Sequence, residues 1–431
     1  MKPGPSFTRP LWLALWLAAS GCTTSATPTP APPEPASASG SASPTAPATG
    51  EVPAATIEAV SLWLDPEFAP DAAPRLQAIL DGWRASHPEA RLDVAIRPAR
   101  GATAASTFLG AVFNAAPARL PDVVMVPLDA VPAINSRGLA ADLGAGPIAD
   151  RVAGAFPLAA RLSTAADGTA RAVPIALDVA HLVGSGDRVT TWEALAPEDR
   201  IVAPSPAAEP AALALALAAF AAADGQLEEL AAPDGAALTV AFGALETAYG
   251  RGQVRASDAQ LPLGLLAEVV GARAALVTAG GYVQHAAQPG DAGWPAGLPE
   301  LGTATWSPLP GIDAAAPPIA WGWGLIIPQA ASANRSLVLD LVDRLSRPQA
   351  NDWVMEHGHL PAYPEAFEAV FANPSLPEAA TAYAGFLAEQ LTTASAIALP
   401  EADWERWRVA VAALFAGQGA TAAVGALEPE R

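Results

Sequence analysis

The sequence predicts the α/β class, with helices covering both faces of mainly parallel sheets, and three observations carry that prediction. Short apolar strands alternate with amphipathic helices from Ile57 to Val126, and strands joined by crossover helices lie parallel and buried on both faces. The chain has 431 residues, 52% hydrophobic and 15% charged, enough for two or three domain-sized cores. Trp321-Gly322-Trp323-Gly324 leads through Leu325, Ile326 and Ile327 to Pro328, and reads as a short buried strand whose glycines admit a second backbone or a flat ligand.

In chain order, Lys2 and Arg9 precede the apolar run Leu11 to Ala19, and Ala19-Ser20-Gly21-Cys22 follows. A basic start, an apolar core too short to span a membrane and small residues before a cleavage point make a secretory signal over residues 1–22. Cysteine directly after Gly21 resembles a bacterial lipobox, which implies that Cys22 is lipidated and begins the mature chain. Two or three acyl chains, at about 0.8 kcal/mol per buried CH₂, would then hold the protein at the outer face of a membrane or in a periplasm. Cys22 is the single cysteine, so the exported fold must rest on its core and not on disulfides. Residues 23–53 are mostly Thr, Ser, Ala, Pro and Gly; they cannot offset the entropy of ordering and read as an extended tether.

The folded part starts near Thr56 with a strand to Trp63. A helix is expected from Asp71 to Ser86, with Leu76, Ile79, Leu80 and Trp83 on one face. A strand Leu92 to Ile96, a helix Thr103 to Ala115, a strand within Leu120 to Pro127 and a short helix Leu128 to Arg137 follow. Ala172 to Val179 is a further strand, and a helix is expected to start at Thr191-Trp192-Glu193 under a threonine cap. Glu209 to Ala223 is Ala- and Leu-rich and reads as a buried helix rather than a membrane span. Leu238 to Tyr249 and Leu263 to Val270 are also expected as helices. Asn334 is the expected cap of a helix carrying Leu337, Leu341, Val342 and Leu345; Gln349 to His357 forms another, closed by Gly358. Pro364 to Phe371, Pro377 to Gln390 and a last helix Asp403 to Ala416 complete the chain.

The ordered set WGWGLIIP, LSRPQA (Leu345 to Ala350) and GHLP (Gly358 to Pro361) resembles the late part of an extracellular solute-binding protein of a bacterial ABC importer, in the carbohydrate-binding, maltose-binding-protein-like branch. Leu120-Pro121-Asp122-Val123, Ala172 to Val179, Thr191 to Leu195, and Gly271 to Thr278 with Gly280-Gly281-Tyr282 extend the resemblance from about Trp63 to Gly425. It implies a two-lobe, type II periplasmic-binding-protein-like fold with a ligand cleft between lobes. Residues 54–176 and 306–358 would form lobe 1, and residues 177–305 and 359–431 lobe 2. It implies capture of a small solute, a sugar or oligosaccharide, by hinge closure, and delivery by a monomer to an ABC permease. One departure stands out. His181 to Asp187 replaces a pair of tyrosines and an asparagine that the family carries there, which leaves a peptide, polyamine or osmolyte open as the solute, or a degenerate member with a sensing or structural role.

In that fold Trp63, Tyr282, Trp321, Trp323 and Trp404 fall at segments that meet the cleft, where an indole or phenol can stack on a sugar ring. Asp65, Asp129 and Asp178 are the acceptors expected beside them. Each aromatic could equally pack in a core, Asp129 and Asp178 could equally cap a turn, and at most one of Trp321 and Trp323 is expected in the cleft. A net charge of -20 argues against nucleic acid. No G-x-S-x-G, H-E-x-x-H or P-loop occurs, so no catalytic residue, cofactor or metal is assigned and an enzyme is not expected. A tethered hydrolase is the alternative from another class. His357 and His359 form the only close histidine pair, and a structural role is expected for them over zinc binding.

Overall fold

The computed structural model describes residues 58–98, 100, 103–204, 210–257, 272–286, 301–329, 334–374, 376–395, 397 and 401–427. The expected secretory signal, Cys22, the expected tether and the helix expected at Leu263 to Val270 lie outside the described residues.

Strand β4 (Ala172–Gly184) organises the fold, because every one of its residues is buried and it belongs to two sheets at once. As far as Val179 it pairs antiparallel with β9 (Ala320–Ile326); from Ala180 it pairs antiparallel with β7 (Ala274–Thr278). The first sheet continues outward from β9 through β3 (Val123–Pro127) and β1 (Glu58–Leu64) to β2 (Ala90–Ile96), the last two pairings parallel. The second continues from β7 through β5 (Ile201–Pro204) to β6 (Val254–Ser257), both pairings parallel. β8 (Thr305–Ser307) and β10 (Leu360–Pro361) add short antiparallel partners to β4. Parallel pairing thus holds in the outer strands, and antiparallel pairing marks where the chain passes between the halves.

The helices are, in order, α1 (Pro74–Ser86), α2 (Ala105–Ala115), α3 (Val131–Ser136), α4 (Pro147–Ala153), α5 (Pro157–Ser163), α6 (Pro210–Ala222), α7 (Gly235–Gly250), α8 (Ala279–Ala286), α9 (Arg335–Ser346), α10 (Pro364–Phe371), α11 (Ala379–Thr393), α12 (Glu401–Phe415) and α13 (Ala420–Leu427). One face of β1, Val60, Leu62 and Leu64, packs with Leu76, Leu80 and Trp83 of α1 and Leu341 and Leu345 of α9 as the core of the first sheet. Leu213 to Phe220 of α6 is buried all round, as an unbroken Ala-Leu run requires, and packs with α7, Trp407 and Val411 of α12, and α13 against the second sheet. A third core takes Val124 and Val126 from β3, Ala275 and Val277 from β7, and Tyr383 and Phe386 from α11, so it spans both sheets. Among the described residues no helix is long and apolar enough to cross a membrane.

Four expectations are corrected. Thr191 to Leu195 is a turn and not a helix start: the Trp192 amide is taken by the Gly311 carbonyl at 3.1 Å, and Pro197 closes the space a helix would need. The helix expected from Asp71 begins at Pro74, after a separate 3-10 turn at Pro70–Ala72. The helix expected at Gln349 to His357 is a 3-10 helix, Pro348–His357. The helix holding Trp404 is followed by one more, α13.

The Trp-Gly alternation on β9 has a packing cause. A Cβ on Gly322 or Gly324 would collide with the Leu128 side chain, and on Gly322 also with the Ala176 carbonyl oxygen. The glycine face therefore lets Leu128 seat against the strand, and both indoles leave by the opposite face, since side chains two apart share a side.

Candidate functional site

The loop after β2, the turn after β3, strand β9 and helix α12 converge on one small pocket. Arg100 and Asp129 come from the first-sheet side, Trp321 from β9, and Trp404 from the helix that packs against the second sheet; Leu162, Ala320 and Ile397 close the walls. The cavity holds about 10 Å³, room for roughly one water molecule. Asp129 stands in the 3-10 turn Leu128–Ala130 that the close approach to Gly322 and Gly324 fixes. Its Oδ1 accepts from Arg100 Nη2 at 2.7 Å, with the Asp129 side chain 6% exposed and that of Arg100 18%. The Arg100 guanidinium carbon lies 4.4 Å from the ring centroid of Trp404.

Two atoms in this pocket are left over. Among the described residues Asp129 Oδ2 and Arg100 Nε are buried without a hydrogen-bond partner. A buried unpaired acceptor beside a buried unpaired donor costs free energy unless a ligand or water completes them. Larger open grooves lie elsewhere, of about 690 Å³ beside Arg171 and about 680 Å³ beside Arg75. Their main cations are already engaged, Arg171 with Asp167 and Arg75 with Asp352 and Glu356.

Of the eight residues singled out in the sequence, Asp129, Trp321 and Trp404 line this pocket. The others sit elsewhere. Trp63 is half-buried on β1, 5.0 Å from the Phe108 ring with Arg97 over its face. Asp65 caps the 3-10 turn Pro66–Phe68, its Oδ1 accepting from the Glu67 amide at 2.9 Å. Trp323 packs edge-on against Phe68 at 5.6 Å. Tyr282, expected at a cleft lip, lies in the shared core against Tyr383 and His181, with burial raising its phenol above the ordinary value.

Asp178 belongs to a second cluster, in the middle of β4. Its Oδ1 accepts from the amides of Val179 at 2.9 Å and Gly280 at 3.1 Å, and Oδ2 lies 3.5 Å from His359 Nδ1. The other ring nitrogen of His359 is 3.5 Å from Glu67 Oε2, and the ring stacks on Phe68 at 5.1 Å. Gly358, left-handed at φ 73°, makes the turn that delivers the imidazole. Burial alone would lower this imidazole, but Asp178 and Glu67 outweigh it and push it up to about 9. Burial would likewise raise Glu67, yet His359, Arg100 and His357 hold its carboxyl below the usual range. Among the described residues no group of His, Cys, Asp and Glu is arranged to hold a metal ion.

Two other histidines stay neutral. Burial pushes His181 down to about 3, and burial with the His359 charge pushes His357 down to about 4. Both groups take up a proton near pH 6.5 only when the chain unfolds, so stability must fall as the pH drops below 6.5. Each contributes a slope of up to about 1.4 kcal/mol per pH unit. Urea unfolding of His181→Phe and of His357→Phe between pH 6.5 and 5 is expected to show about half the wild-type slope; an unchanged slope would contradict neutral burial.

No family model matches the sequence, and no curated protein does. Solved structures do match in fold. The GacH receptor of Streptomyces glaucescens, solved unliganded and with acarbose, is 17% identical, with 86% of this chain and 96% of that one covered and a TM-score of 0.62. The sugar-binding protein MalE of Xanthomonas citri is 20% identical over 86% and 95% of the two chains, with a TM-score of 0.61. Maltose-bound MalE3 of T. maritima is 15% identical over 86% and 97%, with a TM-score of 0.62. At such identities the likeness establishes the two-lobe α/β fold that these proteins share.

Proposed function

We propose that this chain is a carbohydrate-capturing solute-binding protein, whose site is the pocket between the sheet-based halves. The observation that carries the proposal is the unpartnered pair, Asp129 Oδ2 and Arg100 Nε, set beside the indoles of Trp321 and Trp404. A sugar hydroxyl both donates and accepts, so one ring can complete the carboxylate and the guanidinium while its C–H face lies on an indole. The fold shared with proteins solved with acarbose or maltose favours the same class of ligand. With space for about one water, the pocket must open before a sugar enters, and β4, which runs through both sheets, is where a hinge would bend.

The rest of the proposal follows from the N-terminus. A lipidated Cys22 and the tether of residues 23–53 would hold the binding unit at a membrane surface, where it would deliver its solute to an ABC permease. The lobe limits implied by the sequence belong to the same proposal. Thermal unfolding with a panel of neutral mono- and oligosaccharides tests it. A ligand at one hundred times its Kd is expected to stabilise the protein by about 2.7 kcal/mol and raise the midpoint by a few degrees. A flat response across sugars, with a shift from a peptide or polyamine, would transfer the site to another solute.

A further inference from the structure

We propose that His359 is a positioning residue for the solute pocket: held by Asp178 in β4, its imidazolium keeps the Glu67 carboxylate from competing for Arg100, so solute binding is coupled to the proton that His359 carries. The inference rests on the solute-site reading above and adds how the pH of the medium acts on that site.

Charges of alternating sign form a row from the middle of β4 to the pocket. Asp178 Oδ2 lies 3.5 Å from His359 Nδ1, and His359 Nε2 lies 3.5 Å from Glu67 Oε2. Against the pull of burial, His359 and, further along, Arg100 hold the Glu67 carboxyl below the usual range. Arg100 Nη2 closes the row on Asp129 Oδ1 at 2.7 Å. His359, Glu67 and Arg100 each stand between two groups of opposite sign, so a change at one is felt by the next. The inner end is fixed. Asp178 is 1% exposed and accepts from two backbone amides, and α8 meets His359 backbone to backbone, since a Cβ on Gly280 would lie 2.5 Å from the His359 Cα. The outer end can respond. The Glu67 side chain is 44% exposed, and among the described residues Asp129 Oδ2 and Arg100 Nε have no partner.

Loss of the His359 proton removes one of the two cations beside Glu67. Phe68 and Trp323 cover the imidazole with uncharged rings, and His357 on the same turn stays neutral through burial. Glu67 then has Arg100 to pair with, and draws the guanidinium from the place where Asp129 and the Trp404 ring hold it. A solute hydroxyl set to bond Arg100 Nε and Asp129 Oδ2 meets a rearranged pair. Burial lowers His359, but Asp178 and Glu67 raise it to about 9, so the proton is bound at neutral pH and lost as the pH rises through that value. Other groups hold their charge over this range. Arginine stays protonated, the single lysine is Lys2 and the single cysteine Cys22, and burial raises Tyr282, Tyr363 and Tyr383 above their ordinary value.

The test is calorimetric titration of the tightest neutral sugar from the panel at pH 7.5 and pH 10, with circular dichroism to verify that the protein stays folded. Wild-type affinity is expected to fall about fivefold, the lower end of coupling between two sites, and binding near pH 9 should take up protons, seen as an enthalpy that varies with the buffer's own heat of ionisation. Glu67→Gln cuts the row at a residue outside the pocket lining; it should bind alike at both pH values and take up no protons. Without any sugar, the His359 ring proton followed by NMR should titrate near 9 in wild type and lower in Glu67→Gln. Equal wild-type affinity at the two pH values, a fall that Glu67→Gln reproduces, or a His359 titration that Glu67→Gln leaves in place would overturn the coupling. A lowered His359 titration in Glu67→Gln with no sugar bound by either protein would support the row of charges and overturn the carbohydrate reading.

Discussion

Trp404→Ala is expected to weaken carbohydrate binding about thirtyfold, near 2 kcal/mol, the loss typical of a central aromatic anchor. Among the described residues Trp404 is the one pocket aromatic contributed by the second-sheet side, so its removal leaves a bound ring with Trp321. The weakening should appear in the dissociation rate, where most effects of substitutions at one interface lie. Asp129→Asn is expected to cost about tenfold or more, since a hydrogen bond to a charged acceptor contributes about 1.5–3 kcal/mol. Trp63→Ala and Tyr282→Ala separate site from scaffold. Trp63 lies outside the pocket lining and Tyr282 is in the interior, so both should alter stability and leave the affinity of folded protein within a few fold. Calorimetric titration of the four variants decides it; equal losses in all four would place the sugar elsewhere.

The second large effect is on folding. His359→Phe keeps the stacking on Phe68 and removes the cation between Asp178 and Glu67. Asp178 is 1% exposed, and a buried charge stripped of its partner typically costs 3–5 kcal/mol. About that loss is expected at pH 7, read from urea unfolding. The double variant His359→Phe with Asp178→Asn should recover much of it, because no uncompensated charge is then buried. The sign with pH follows from the raised imidazole. Its contribution is complete below about pH 6.5, the value in the unfolded chain, and disappears as pH rises through about 9. Wild type and His359→Phe should therefore converge near pH 10, and a difference that persists there would contradict a charged His359.

Much of this architecture is legible in the sequence because each element has one dominant cause. The fully apolar α6 must be buried, the W-G-W-G strand needs a neighbour on its glycine face, and Gly358 ends a helix. What escapes is what depends on partners far along the chain. Trp192 spends its amide on Gly311 and so never enters a helix, which no local pattern foretells. Asp129, Trp321 and Trp404 stand out as a polar or aromatic residue at an element end, but Arg100 lies in a sequence run of Arg, Gly and Ala with no periodicity, and only its placement between Asp129 and Trp404 reveals it. His359 had a fainter signal. Asp178 is the one carboxylate in a strand of thirteen buried residues, and a charge in such a run demands a counter-charge; the sequence names the need and the fold supplies the histidine from the GHLP return.

The most direct measurement is a crystal structure of the protein with the tightest neutral sugar from the panel. The account predicts the sugar held between the two halves, a ring face on an indole of Trp321 or Trp404, and a hydroxyl on Asp129 Oδ2. A sugar seated in an outer groove, touching neither Asp129 nor the two indoles, would contradict it.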